Sequence, residues 1–351
     1  MKDFRVAVVG LGAVSTEWLR ILGRRDDVEV VALVDPNAAL AQERRVAFGL
    51  DAPIFGDVAE AIDRERVDLV IALTPADLHR SVAEAGLRAG CDVIVEKPMT
   101  ADLSEAVALV AAARETGKTV AVMQNRRYHS AIRRLRAEAA AGRIGEVVDV
   151  SADMFLWHRY PNTFLTDMDS PLLRDMAIHQ FDMARAITRQ DAVTVQAVEW
   201  GSPTSWMRGS AAAAATFELS GGGAFSYRGS WVAEGASTTY DGSWRVGGTR
   251  GAMTWDSEAE LTIETVERPN GPYAPGVSSR EVADVAASRE RTGHEIALEA
   301  ILEALRSGDD PETVAVDNLK SLAMVVGAVE SSKLRRTVVL ADLLEHAGWS
   351  G

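Results

Sequence analysis

Between Phe4 and Met123, short apolar runs alternate with helical stretches, and this alternation restricts the fold more than any other feature of the chain. The runs are Phe4–Val9, Val28–Val34, Asp68–Leu73, Asp92–Val95 and Thr119–Met123, all rich in valine and isoleucine. Gly12–Leu22, Ala38–Phe48, Leu78–Leu87 and Leu103–Arg114 carry apolar residues at helical spacing. A strand that is apolar along its whole length is buried on both faces, and a helix after each strand supplies the cover. The pattern predicts a doubly wound parallel sheet over residues 1–124.

The remainder, residues 125–351, follows a different rhythm. Amphipathic helices are predicted over Ile132–Ala141 and Pro171–Ile187, and two more, Glu295–Leu305 and Asn318–Lys333, close the chain. Between them lie longer alternating runs: Glu146–Trp157, Ala192–Trp200, Ala211–Leu219, Ala224–Val232 and Tyr240–Val246. Gly221-Gly222-Gly223 reads as a hairpin turn. Ala211–Ala215 favours helix by propensity but sits within an alternating run, so a strand is expected there. Pro269–Ser279 reads as a loop. The second domain is therefore expected to be α/β, with a large open, mainly antiparallel sheet carrying helices on one face.

A chain of 351 residues suits two such domains. Its net charge of −14 repels phosphate backbones and anionic lipid, which argues against nucleic-acid and membrane partners. No apolar stretch approaches the roughly 18 residues of a membrane span. The apolar start reaches glycines and Glu17 without a small-residue cleavage site, so it reads as a strand rather than a signal peptide. The single cysteine, Cys91, cannot form an internal disulfide and suits a reducing cytoplasm.

The first strand runs straight into Gly10-Leu11-Gly12-Ala13-Val14-Ser15 and then a helix. Glycine at the first position allows a tight turn, and at the second it lets the backbone approach a pyrophosphate at the helix N-terminus. Ser15 stands where a third glycine is usual. Asp35, followed by Pro36, ends the second strand about 20 residues on, where a carboxylate accepts from the ribose hydroxyls of a dinucleotide. That carboxylate repels the extra phosphate of NADP, so NAD is expected; Arg44 or Arg45 folding back would admit NADP.

Two further strand ends carry unusual residues. Thr74-Pro75, with His79 a turn later, follows one, and Glu96-Lys97-Pro98 follows another. A lysine at the inner end of a buried strand requires an anion, a polarised oxygen or a carboxylate partner. In the helix after Pro171, a uniform 100° per residue puts Asp175, His179 and Asp182 within an arc of about 60°. An aspartate beside a histidine orients the imidazole and raises its proton affinity, as a general base requires. No cluster of His, Cys and acidic residues has ligand spacing, so no metal is expected.

Together these pieces resemble the Gfo/Idh/MocA oxidoreductase family. The matches are Gly10-Leu11-Gly12, Asp35, Thr74-Pro75 with His79, Glu96-Lys97-Pro98, Asn125-Arg126-Arg127-Tyr128 and Asp175 with His179. Gly142-Arg143-Ile144-Gly145, Gly248-Thr249-Arg250-Gly251 and the Asn318–Lys333 helix extend the resemblance over nearly the whole chain. Departures are Ser15 and Ala177, where glycine is frequent. The resemblance implies a Rossmann domain, a site between the domains, and a homodimer or homotetramer. It implies cofactor contacts from Gly10, Gly12, Ala13, Val14, Asp35, Pro36, Thr74, Pro75, His79, Glu96, Lys97 and Asn125. It also implies catalytic roles for Lys97, Asp175 and His179, and substrate contacts from these and Arg127, Trp157 and His158.

The expected reaction is hydride transfer between a secondary hydroxyl of a sugar, cyclitol or related polyol and NAD. His179 would be the base, Lys97 would stabilise the oxygen, and Asp175 would hold His179. Two alternatives stand beside it: a glycoside-processing enzyme that uses tightly held NAD transiently, and a non-catalytic NAD-binding sensor.

Overall fold

The computed structural model describes residues 4–157, 159, 164–267, 277–285 and 291–351. Its first sheet contains β1 (Phe4–Val9), β2 (Val28–Val34), β3 (Ile54–Phe55), β4 (Leu69–Ala72), β5 (Asp92–Val95) and β6 (Val120–Val122). All pair in parallel, in the order β3-β2-β1-β4-β5-β6. Between them run α1 (Ser15–Leu22), α2 (Ala38–Ala47), α3 (Val58–Arg64), α4 (Ala76–Arg88) and α5 (Leu103–Thr116). The doubly wound sheet expected from the alternation is present. Strand β3 and helix α3 were not foreseen, because a two-residue strand is too short to show a period.

Side chains leave β1 on alternating sides. Val6 and Val8 join Trp18, Leu19 and Ile71 in one core, while Ala7 and Val9 join Val70, Ala83 and Leu109 in another. Strand order reverses at β1, which has β2 on one side and β4 on the other. The crevice beyond the carboxyl ends of these strands is where open α/β sheets take their ligands.

The second sheet has nine strands. They are β7 (Val147–Phe155), β8 (Ala192–Trp200), β9 (Ala212–Leu219), β10 (Ala224–Ser230), β11 (Ser243–Gly248), β12 (Gly251–Trp255), β13 (Glu260–Val266), β14 (Val277–Asp284) and β15 (Val338–Val339). Their order is β14-β13-β12-β11-β7-β10-β9-β8-β15, and every neighbouring pair is antiparallel except β7 with β10. The mainly antiparallel expectation holds. Gly222, at φ +85°, lies in the turn joining β9 to β10. Ala212–Ala215 form strand as expected, since pairing with β8 and β10 overrides helix propensity. Of the predicted loop Pro269–Ser279, residues 269–276 lie outside the described residues, and Val277 to Ser279 begin β14.

One face of this sheet is covered by α6 (Ser130–Ala140), α7 (Ile178–Thr188) and the later part of a long helix that follows α8 (Gly293–Ser307), namely α9 (Ala315–Leu334). A short α10 (Leu340–His346) ends the fold. Helix α7 is buried throughout Ile178–Ile187, and Phe181 meets Phe217, Phe225 and Tyr227 edge-on at centroid distances of 4.8, 6.0 and 5.3 Å.

The last helices return to the first sheet. Ala297, Leu298, Ile301 and Leu302 of α8 pack into the core that holds Trp18 and Val6. Ala315, Leu319, Leu322 and Ala323, at the start of α9, complete the core on the opposite face. The surface of the parallel sheet is thus finished by residues about 300 positions from its first strand.

Candidate active site

The glycine loop is built against the neighbouring strand end. Gly10 has φ +89°, and a Cβ there would lie 2.8 Å from the Leu73 carbonyl carbon and the Thr74 nitrogen, so only glycine fits. A Cβ on Gly12 would meet nothing within 4 Å, which leaves its backbone open to a ligand. Ser15, fully buried, turns its hydroxyl onto the Gly12 carbonyl at 2.7 Å; it braces the turn from within where a third glycine would only make space. Asp35 accepts from the Leu11 N–H and the Asn37 N–H, each at 2.8 Å, and so stands beside the loop at the end of β2. Arg44 is paired with Glu43 along α2. Beside the loop, the buried Thr74 hydroxyl has no hydrogen-bond partner among the described residues. Open glycine backbone, a carboxylate at the loop and an unsatisfied hydroxyl together fit a dinucleotide, with Gly10, Gly12, Ala13, Val14, Asp35 and Thr74 as the residues that would hold it.

Two expected cofactor contacts are used internally instead. His79 is 1% exposed, with Nε2 2.8 Å from the Thr74 carbonyl oxygen and Nδ1 3.0 Å from that of Pro98. It ties the ends of β4 and β5 together, next to the cis Lys97–Pro98 bond. Glu96 points inward, accepting from Trp18 Nε1 on α1 at 2.8 Å and from the Lys97 N–H at 3.1 Å, with His294 Nε2 on α8 3.2 Å away. Burial would raise its carboxyl, but the His294 contact, the Trp18 hydrogen bond and the Lys97 charge together hold it below the ordinary carboxylate range.

Lys97 leaves the end of β5 and crosses to the second sheet's helices. Its Nζ donates to the Asp175 carbonyl oxygen at 2.9 Å and to Asp175 Oδ1 at 3.0 Å. Asp175 therefore serves Lys97, and its expected pairing with His179 is corrected. The cause is local: Leu172–Ala177 forms a π-helical turn that runs into α7. Bonds from i to i+5 widen that turn, so residues four apart no longer stack as a uniform 100° step would place them. Asp182, the third member of the expected seam, faces Arg127.

His179 is 6% exposed, and among the described residues its Nδ1 has no hydrogen-bond partner. Burial first, then the positive charges of Arg126 and Lys97, push its imidazole well below its ordinary range. The expected rise in proton affinity from an adjacent aspartate is thus reversed.

Arg127 does not reach the cleft. It is 5% exposed and bonds Asp182 Oδ2 at 2.7 Å, Asp317 Oδ2 at 3.0 Å and the Glu312 carbonyl at 3.0 Å. Arg185, also buried, shares Asp317 at 2.8 Å, while the Ser321 hydroxyl donates to Asp182. This satisfied ion network joins the turn after β6 to α7 and α9. Its neighbour Arg126 takes another direction, paired with Asp241 and lying over the Tyr240 ring at 5.5 Å. Asn125–Tyr128 is a 3₁₀ turn, in which successive residues point about 120° apart, so adjacent arginines diverge. Trp157 is 45% exposed and bridges Val232 through its backbone. His158 lies outside the described residues.

Arg126, Tyr240, Asp241, Trp18 and His294 were not foreseen. A Thr292–Glu295 capping box marks the start of α8 and was the one local signal that would have set His294 in a first helical turn.

Comparison with known proteins places the chain in a family. The profile described as "Oxidoreductase family, NAD-binding Rossmann fold" matches residues 4–124, and that of the "GFO/IDH/MocA C-terminal domain" matches residues 132–254. A D-apiose dehydrogenase of Paraburkholderia graminis is 28% identical, with 99% of this chain and 92% of that protein aligned. An inositol 2-dehydrogenase of Rhizobium meliloti is 25% identical over 96% of this chain and 99% of its own length. Among solved structures, an oxidoreductase from Agrobacterium radiobacter, in complex with NAD+, L-tartaric acid and magnesium, superposes with a TM-score of 0.87 at 21% identity. That alignment covers 98% of this chain and all of the other, and it shares the whole two-sheet fold.

Proposed function

Since the chain belongs to the Gfo/Idh/MocA oxidoreductase family and is an NAD-dependent enzyme, we propose that it oxidises a secondary hydroxyl of a sugar, cyclitol or related polyol, reversibly, with Lys97 and His179 as its catalytic residues. One observation carries this reading. The Lys97 ammonium, from the nucleotide-binding sheet, is held by Asp175 of the second unit, four residues before the buried imidazole of His179.

Bound NAD supplies the hydride acceptor. Lys97 stabilises negative charge that develops on the substrate oxygen, a role for which a partly buried, hydrogen-bonded ammonium is suited. His179 receives the hydroxyl proton at Nε2, because Nδ1 is shut away from solvent. Its depressed proton affinity keeps it neutral, hence able to accept, through the neutral pH range. Asp175 fixes where the ammonium sits. Arg126 and Asp241, next to the Tyr240 carbonyl that accepts from Gln180, the residue after His179, offer a donor and an acceptor, a combination that suits neighbouring hydroxyls on a neutral polyol.

The test is an absorbance screen for NADH formation with sugars, inositols and glycosides, run in parallel with NADP. Oxidation of a polyol with NAD supports the proposal; copurified cofactor without net NADH formation overturns it in favour of transient use of NAD. The same assay checks Asp35. Asp35→Asn retains an acceptor for the Leu11 N–H but loses the charge that repels a ribose phosphate, so discrimination against NADP is expected to relax about tenfold. Titration of both cofactors by calorimetry reads that ratio directly, and an unchanged ratio sinks the assignment.

A further inference from the structure

A partly buried imidazole that the proposed chemistry does not use joins the elements framing the cofactor crevice. His294 opens α8, with its ring edge-on to Trp18 of α1 at a centroid distance of 5.9 Å. Its Nε2 lies 3.2 Å from Glu96 Oε1, and its Nδ1 lies 3.1 Å from Asn125 Nδ2. A carboxylate only accepts, so the shared hydrogen belongs to Nε2. An amide nitrogen only donates, so Nδ1 is bare and accepts. The neutral Nε2–H tautomer satisfies both contacts at once.

Each neighbour of this ring leads to the site. Glu96 also accepts from the Lys97 N–H at 3.1 Å and from Trp18, whose helix starts at the glycine loop. Asn125 begins the turn that carries Arg126, which pairs with Asp241 beside the Tyr240 ring. Gly293 is equally constrained, since a Cβ there would lie 3.3 Å from the Asn125 carbonyl oxygen. Helix α8 is therefore seated closely on the turn after β6.

Resting on the reading that Lys97 polarises the reacting oxygen, we propose that His294 is a positioning residue for the hydride-transfer centre. Its Nε2–H fixes Glu96 and, through it, the backbone from which Lys97 projects. Its Nδ1 orients the Asn125 amide, setting which end of that amide is left for the cofactor. A helix from the far end of the chain thus aligns the lysine and the glycine-loop helix with one ring.

The experiment compares the full chain with His294→Leu, His294→Gln and Lys97→Ala. Long-range ¹H–¹⁵N spectra of the histidine-labelled protein, with His294 identified by its loss in His294→Gln, are expected to show a protonated Nε2 and a bare Nδ1. A protonated Nδ1 overturns the proposal. With NAD saturating and the best polyol from the screen, His294→Leu is expected to lower kcat about 10- to 100-fold through misplacement of Lys97, with KM for the polyol nearly constant. His294→Gln, which restores an N–H donor, is expected to recover most of that loss. Wild-type kcat in His294→Leu, or an equal loss in both variants, overturns the proposal. If His294→Leu does not fold, the spectra and His294→Gln decide. Full activity in Lys97→Ala would instead sink the underlying catalytic reading and leave the spectra standing as a separate result.

Discussion

Replacing His179 with alanine is expected to lower turnover about 100- to 10,000-fold, the range for a positioned acid–base group, while NAD affinity stays near that of the native chain. The glycine loop and Asp35 lie on β1, α1 and β2, whereas His179 lies on α7, so the cofactor's holding residues are untouched. Calorimetry with NAD and steady-state rates on the same preparation separate the two effects. Turnover within a few-fold of native would remove His179 from the chemistry. A second, sign-specific result accompanies it. The folded imidazole binds its proton well below its ordinary range, whereas the unfolded chain binds one at about pH 6.5. Between those two points the unfolded state carries more protons, so this group's contribution to stability is full above about pH 6.5 and is lost as pH falls. His179→Ala should therefore lose less thermal stability than the native chain on acidification below about pH 6.5, as melting curves would show.

Lys97→Ala is expected to cost about 100- to 1,000-fold in turnover, the effect of deleting one preorganised charge at a developing oxyanion. The comparison that gives this number meaning is Asp175→Asn. Lys97 Nζ bonds both the carbonyl and Oδ1 of Asp175, and the carbonyl survives the substitution. Asp175→Asn should then fall between native and Lys97→Ala, because the ammonium keeps one of its two anchors. Rates measured for all three at saturating NAD check that order. An Asp175→Asn rate below that of Lys97→Ala would mean that Asp175 acts on something other than the lysine.

Much of this arrangement was legible before any coordinates. The strands Phe4–Val9, Val28–Val34 and Asp92–Val95 were read to the residue, because mostly apolar, valine-rich runs between helices admit few alternatives. Strands β12, β13 and β14 were not foreseen: β12 has only five residues and starts at a glycine, and β14, with Ser278, Ser279 and Arg280 in succession and Val282 exposed, has no clean alternation. Lys97 and His179 stood out by type and place. Their true partners did not. A helical wheel presumes one rotation per residue, and the π turn at Leu172–Ala177 breaks that presumption just where Asp175 sits. The choice of Arg127 over Arg126 failed for a similar reason, since a 3₁₀ turn separates neighbours. His294 was invisible from its surroundings because Glu96 is 198 positions away.

The return of α8 and α9 to the parallel sheet has a consequence for biogenesis. As the polypeptide emerges from the ribosome, the strands and helices up to Met123 are available long before Leu298, Ile301 and Leu319. Until those arrive, both faces of the nascent sheet present uncovered hydrocarbon, the kind of transient surface that chaperones shield. Completion of the nucleotide-binding half therefore waits on residues from the other end of the fold, and premature termination before α8 leaves a product unable to close its own core.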